Sequence, residues 1–508
     1  VSKGRDEPAG ERMGRLSRPP HPLLFELLYA PQFASDKVGT LPHLLRIDAA
    51  HVIMLGRRDL LERDLVRRLL EANREMARRV AAGEDILGSP PVHRGLYMLY
   101  EGLLGEMASP EAGGAVHLAR SRNDINATVT RMRLREGLLS LLTSAVALLE
   151  VELSLAEGHR ETLMSAFTHL QPAQPSSFGH YLAAVSSELL RAVEGLSRVW
   201  DEANRCPMGA AAGIGTSFPI DRQLVADLLA FDDPIPLSLD AVASRDYLAR
   251  ALSEAALMGT TLSRQALDLQ TWGSRAYGFL DWPDELVSTS SIMPQKRNAY
   301  VLENIRGRGV APLGALASTL AGFKNVAFSN SVEVSGEAAG HARPALEAVE
   351  SAVRLLTLLV ENVEVRPRAM RDFLDRAQTT MTAVADLLAR DHGLPFRQAH
   401  DAVGRLVGRY PESDGVPVEE LAAALEEEVE EVSGRRLEIS AEALEAVLDP
   451  RACLEAARYG GGPAPESVAA AVANLRQRLE AVADDLDHRR QRLAALDAGL
   501  DAAAADFH

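Results

Sequence analysis

Three polar segments break an otherwise apolar, helix-favouring chain. They are HLARSRND from His117 to Asp124, THLQPAQP from Thr168 to Pro175, and STSSIMPQKRN from Ser288 to Asn298. Between them they supply a guanidinium (Arg122), amides (Asn123, Gln171, Asn298), an imidazole (His169), an ammonium (Lys296) and hydroxyls (Ser121, Thr168, Ser290, Ser291). A guanidinium grips a carboxylate through two parallel hydrogen bonds. Imidazole, hydroxyl and ammonium groups hold and move protons. The combined set suits binding a dicarboxylate and transferring a proton to or from it. Each segment alone has a plainer reading. Ser121 to Asp124 could cap a helix starting near Asn126, Thr168-His169 could be a turn before Pro172, and the serine-rich stretch a surface loop. No metal is expected: there is no H-E-x-x-H, no Cys/His cluster at zinc spacing, and His93, His117, His169 and His180 are scattered. The run Gly209 to Gly215 lacks the G-x-G-x-x-G spacing and a preceding strand, so it reads as a turn between helices.

The elements that must position these groups are helices. The chain has 508 residues, of which 5% are aromatic and 47% apolar. Ala, Leu, Glu and Arg are abundant, a helix-forming composition. Residues 111–171, 176–206, 237–282 and 313–343 contain no proline, the strongest helix breaker. The stretch 134–157 is apolar on nearly every face in its middle, as expected of a helix buried on all sides. We therefore expect an all-α protein. Its parts would be an arm at 1–20, disordered by its charge and prolines, an N-terminal helical domain at 21–115, a central long-helix domain at 116–364, a C-terminal helical domain at 365–465 and an amphipathic tail at 466–508. In the tail, Val468, Val472, Leu475, Leu479, Val482, Leu486, Leu493, Leu496 and Leu500 follow a 4-3 spacing interrupted at Arg489. Docking on its own subunit is the simpler expectation for this stripe.

A net charge of -17 argues against bulk nucleic-acid binding. Two cysteines are too few for a disulfide framework and fit a cytoplasmic setting. The most apolar run, Leu138 to Leu149, is about half of the roughly 20 residues that span a bilayer, and no secretory signal opens the sequence. Neither a membrane nor a nucleic-acid partner is expected.

The three segments resemble the three signature regions of the fumarase/aspartase superfamily, and within it the argininosuccinate lyases. Ser290 to Asn298 (SSIMPQKRN) is similar to the family's mobile catalytic loop. Phe218 to Arg222 (FPIDR), Ser238 to Asp246 (SLDAVASRD) and Gly393 to Gln398 with Ala399-His400 (GLPFRQAH) extend the resemblance over about residues 40–465. It implies a homotetramer on a central helix bundle, with each active site shared by three subunits. It also implies a substrate of the N-succinyl-amine type, cleaved to fumarate and a free amine or formed in reverse, with no cofactor.

The resemblance assigns roles that the chemistry makes intelligible. Removing a proton beside a carboxylate gives a carbanion delocalised as an aci-carboxylate, which needs preorganised donors and positive charge. Lys296 and Asn298 would supply them. Ser290 would be the base, acting as an alkoxide, so the loop's backbone donors and Lys296 must lower its proton affinity. His169 would protonate the leaving amine, with Glu303 orienting its ring. Arg122 and Asn123 would grip the carboxylates, and Ser121, Thr168, Gln171 and Ser291 would add donors. Gln295 reads as a loop-shaping residue. Retention of Ser290, Lys296, Asn298, His169 and Glu303 together argues against a catalytically silent relative.

Departures from the family pattern stand beside these matches. Thr289 replaces the glycine before the two serines. Ala299-Tyr300 follows Asn298 where Pro-Asp is usual. Pro90 to His93 replaces Glu-Asp-x-His. Counted without gaps, the segment that holds the arginine end of argininosuccinate falls on 330–338, placing Asn330, Ser335 and Ala338 where the family has Tyr, Gln and Lys. An amine other than arginine is therefore expected, with a true argininosuccinate lyase as the alternative.

Overall fold

The computed structural model describes residues 20–89, 95–411 and 416–508. Residues 1–19 of the expected arm and the Pro90 to His93 departure lie outside them. Helices dominate, as expected. The strands among the described residues form only two-stranded pairs.

The longest helix, Arg122–Gly158, has 37 residues. At 1.5 Å per residue it is about 55 Å long. It starts four residues before Asn126 because Ser121 and Asp124 form a reciprocal capping box, which satisfies N–H groups that a helix start leaves unpaired. Leu138, Leu141, Leu142, Leu148 and Leu149 are buried. Each such leucine stabilises the fold by about 1.5–3 kcal/mol. Its apolar window has the length and composition of a membrane span, and 50% of that window is buried within the subunit. The helix packs against Phe178–Ala203, Ala342–Glu361 and Pro465–Ala494.

Helix Asp246–Trp272 runs lengthwise in the same bundle. Near its start, the Arg131 guanidinium lies 3.9 Å from the Tyr247 ring centre. At its end, Trp272 packs on Phe167 and Tyr181. It crosses helix Tyr300–Gly309 at Gly259 and Gly309, where a Cβ on either would collide with the other's backbone. Two glycines thereby fix how these helices sit along each other.

The tail docks on its own subunit. Val468, Val472, Leu475, Leu479, Val482 and Leu486 are buried in the central core. Arg489, the interruption in the stripe, is only 4% exposed. Its guanidinium lies 4.4 Å from the Trp200 ring centre and pairs with Asp201 at 2.8 Å and with Asp485. The planar cation thus fills an apolar position by stacking. Beyond it, Leu496, Leu500 and Phe507 join a second core with Leu44, Ile47, Leu69, Met132 and Phe231. A third core gathers Val384, Leu388, Leu406, Leu425 and Leu444.

The main departure from an all-helical reading is a hairpin, Leu163–Thr168 paired antiparallel with Gln171–Ser177. Pro172 and Pro175 disguise the second strand in the sequence. A two-stranded ribbon tolerates them because each strand has an edge where no N–H is required. Gly179 seats the hairpin: a Cβ there would collide with Ala156 and Arg160, so the next helix starts pressed against the end of the long one.

Candidate active site

The SRND segment does two jobs at the start of the long helix. The Ser121 hydroxyl accepts from the Asn123 N–H at 3.3 Å. Asp124 accepts from Ser121 N at 2.9 Å and, through its other oxygen, from Gly209 N at 3.1 Å and Ala211 N at 2.8 Å. Burial pushes its carboxyl up to about 6, against the pull of those donors. Asp124 is therefore a clamp tying the 209–211 turn to the helix start. Arg122 is exposed and Asn123 half-buried. The Asn330 amide donates to Asn123 Oδ1 at 2.9 Å, joining the 330 segment to this end.

A buried polar network underlies it. Arg120, with its side chain fully enclosed, pairs with Asp48 at 2.5 Å. Tyr100 donates to Asp48 at 2.6 Å, and Arg120 donates to the Tyr97 oxygen at 3.1 Å. The Tyr97 oxygen lies 2.9 Å from His117 Nδ1. Burial and the nearby Arg120 charge hold the His117 imidazole below its ordinary value. The sequence reading passed over Asp48, Tyr97 and Tyr100, which are remote in sequence from the signature segments.

His169 sits at the hairpin tip. His169 and Leu170 have φ of 53° and 61°. Positive φ at both central residues is the geometry of a tight hairpin turn, which usually takes Asn-Gly. Strain of order 1–3 kcal/mol per residue in non-glycine positions is characteristic of functional sites. Thr168, His169 and Gln171 are exposed, and Leu170 is 77% exposed. Phe167 packs on Trp272, Tyr277 and Phe373, fixing the hairpin to the end of helix Asp246–Trp272.

The serine loop lies at that same end. Ser288 and Thr289 pair with Asn298 and Arg297. Arg297 reaches Asp284 and donates to Trp282 O at 2.7 Å, anchoring the stem. Within the loop, the Ser290 hydroxyl oxygen accepts from Ile292 N at 3.4 Å and Met293 N at 3.2 Å. Ser290 and Asn298 are half-buried, while Ser291 and Lys296 are exposed. Glu303, also exposed, accepts from Gln270 Nε2 at 2.9 Å.

The structure thus brings Ser121, Arg122, Asn123 and Asn330 together at one end, and places Ser290, Lys296, Glu303 and the His169 hairpin at the other. Ser335 donates back to Ser331 O at 2.8 Å, within its own helical turn. Among the described residues no group of three or more His, Cys, Asp and Glu could hold a metal ion.

A long-helix bundle carrying three such polar segments defines the fumarase/aspartase class. A family model described as Lyase matches residues 89–312, and one described as Argininosuccinate lyase C-terminal matches 378–455. Argininosuccinate lyase 1 of Shouchella clausii is 32% identical over 486 residues, 96% of this chain and 97% of that protein. The argininosuccinate lyase of Natronomonas pharaonis is 39% identical over 456 residues, covering 89% and 88%. Among solved structures, an EDDS lyase in complex with formate has a TM-score of 0.84 at 27% identity, covering 99% of this chain and 98% of that one. A class II fumarase from Schistosoma mansoni, at 17% identity and TM-score 0.67 over 81% and 89%, shares the fold. The chain belongs to the argininosuccinate lyase family, and its relatives support a fumarate-releasing carbon–nitrogen lyase.

Proposed function

We propose that this enzyme cleaves an N-succinyl amine to fumarate and a free amine other than arginine, in a site assembled from several subunits. The observation that carries the amine reading is the composition of the segment beside the carboxylate grip. Asn330 bonds to Asn123, yet residues 325–340 contain no lysine or arginine and two glutamates, Glu333 and Glu337. A register shift of up to four residues either way brings no lysine or arginine to the place of Ala338. Ala338, which stands where the family has its lysine, is buried at 2% exposure against Gly322. A side chain there points into protein rather than toward a ligand. Leaving the carboxylate of an arginine product without its cation costs roughly 2–5 kcal/mol, or about 30- to several-thousand-fold in specificity. The high identity to argininosuccinate lyases favours the second reading, argininosuccinate itself.

Helix length supports the shared site. Arg122 opens the long helix and the His169 hairpin follows its end, about 55 Å away. A strand of six residues reaches back at most about 20 Å. One subunit therefore cannot close Arg122 and His169 on one small substrate. Leu257, Leu267, Val310, Leu313, Leu320 and Leu358 are exposed on the bundle helices, apolar surface suited to partner subunits.

In this reading the Ser290 alkoxide, held by the Ile292 and Met293 N–H groups, takes the proton beside the carboxylate. Lys296 and Asn298 stabilise the aci-carboxylate, while Arg122 and Asn123 grip the carboxylates of the succinyl half. The carbon–nitrogen bond then breaks and His169, oriented by Glu303, protonates the departing amine. Fumarate release is followed by absorbance, and the amine is identified by mass from a screen of amines with fumarate. A kcat/KM on argininosuccinate of about 10⁴ M⁻¹s⁻¹ or higher, within the ordinary enzyme range, would restore the argininosuccinate lyase reading.

A further inference from the structure

We infer that Gln270 is a positioning residue for the leaving-group proton: its amide holds one oxygen of Glu303 and leaves the other for the His169 imidazole. The inference rests on the roles proposed above for His169 and Glu303. Glu303 lies in the first turn of helix Tyr300–Gly309 and is exposed. Among the described residues no cation pairs with it, and Gln270 Nε2, at 2.9 Å, is its side chain's one hydrogen-bond partner. A free surface glutamate samples several rotamers. An orienting carboxylate must stay within about 0.5 Å of its productive place.

The type of residue at 270 fits this task. A lysine or arginine there would neutralise the carboxylate and compete with an imidazolium. A glutamine donates one hydrogen bond and leaves the negative charge available. Its own position is fixed twice. The crossing of Gly259 and Gly309 sets how helix Asp246–Trp272 sits along helix Tyr300–Gly309. Two residues after Gln270, Trp272 packs on Phe167, two residues before His169. The final turn of helix Asp246–Trp272 therefore touches the elements carrying both proposed partners.

The test uses the full-length enzyme with two probes, N-methyl-aspartate and N-phenyl-aspartate, read as fumarate release. At neutral pH the nitrogen of N-methyl-aspartate already carries its proton, so methylamine departs without an acid; the weakly basic nitrogen of N-phenyl-aspartate is unprotonated, so aniline needs a proton as it leaves. Gln270→Leu should lower kcat on N-phenyl-aspartate about 10-fold, a part of the 10²–10⁴ that a general acid supplies. KM should stay within about 2-fold and the methyl substrate should be nearly unaffected. Introduced beside Glu303→Gln, Gln270→Leu should add no further loss, as expected of residues that act as a unit. Equal losses on both probes, or an undiminished loss beside Glu303→Gln, would overturn the role of Gln270. Glu303→Gln alone with normal kcat on N-phenyl-aspartate would instead overturn the proposed role of Glu303. A wild-type enzyme that releases fumarate from neither probe and joins fumarate to no amine of the screen would overturn the functional reading itself.

Discussion

At the start of the long helix, Arg122 and Asn123 stand on a buried foundation of Asp48, Arg120, Tyr97, Tyr100 and Asp124. At its far end, His169, Ser290, Lys296 and Glu303 stand on turns and loop backbone near the surface. The first end is prebuilt: its charges are enclosed, paired and tied to neighbouring turns. The second is held only at its roots, by Phe167, Arg297 and Gln270. The division fits the roles proposed for the two ends. Holding a dianion requires fixed donors before the substrate arrives. In the proposed shared site, the groups that move protons meet a substrate held by another subunit and therefore protrude.

The contrast can be broken first at the foundation. Asp48→Ala strands the enclosed Arg120 guanidinium, and losing one partner of a buried pair costs about 3–5 kcal/mol. Urea unfolding should show that loss together with loss of turnover. A variant within about 1 kcal/mol of the wild type would mean that the network is not a foundation.

Next comes the exposed end, where activity and stability should separate. Ser290→Ala should lower kcat by about 10²-fold or more, while unfolding stays within about 0.5 kcal/mol, as for other surface changes. Near-normal kcat would assign the base elsewhere.

Gly179→Ala sharpens the comparison at the hairpin's root. The added methyl meets the backbone at Ala156 and Arg160. Overpacking of this kind costs about 1–3 kcal/mol. Activity should fall further than that loss alone explains, since the hairpin carries His169, and circular dichroism should still show a helical protein. Unchanged kcat would free the hairpin from any positioning role.

The smallest effect is expected at Asn330. Removing its bond to Asn123 with Asn330→Ala should raise KM about 2- to 10-fold, matching the 0.5–1.5 kcal/mol of one hydrogen bond. A fall confined to kcat would place Asn330 in the chemistry rather than in binding.

Much of this was legible in the sequence for physical reasons. The nearly all-apolar middle of 134–157 pointed to a helix covered on most sides, and the polar segments stood out against it. The tail's 4-3 stripe gave its docked face. The hairpin was hidden because Pro172 and Pro175 argue against a strand, and only pairing along one edge removes that objection. Arg489 read as a break in the stripe because a single sequence cannot announce a tryptophan face for a cation to cover. Gln270, Asp48 and Tyr97 were missed because each acts on a residue distant in sequence, so no spacing signals them. The start of the long helix was placed at Asn126 rather than Arg122 because the reciprocal capping by Ser121 and Asp124 extends it by a turn.

In the proposed shared site the two ends meet only between subunits. This is tested by mixing two inactive enzymes, Arg122→Met and Ser290→Ala, unfolding and refolding them together, and measuring fumarate release. Mixed assemblies contain some sites that draw an intact Arg122 from one subunit and an intact Ser290 from another. Activity should return in the mixture while each variant refolded alone stays inactive. A mixture no more active than its parents, with mixed assemblies demonstrated by native mass spectrometry, would contradict the shared site.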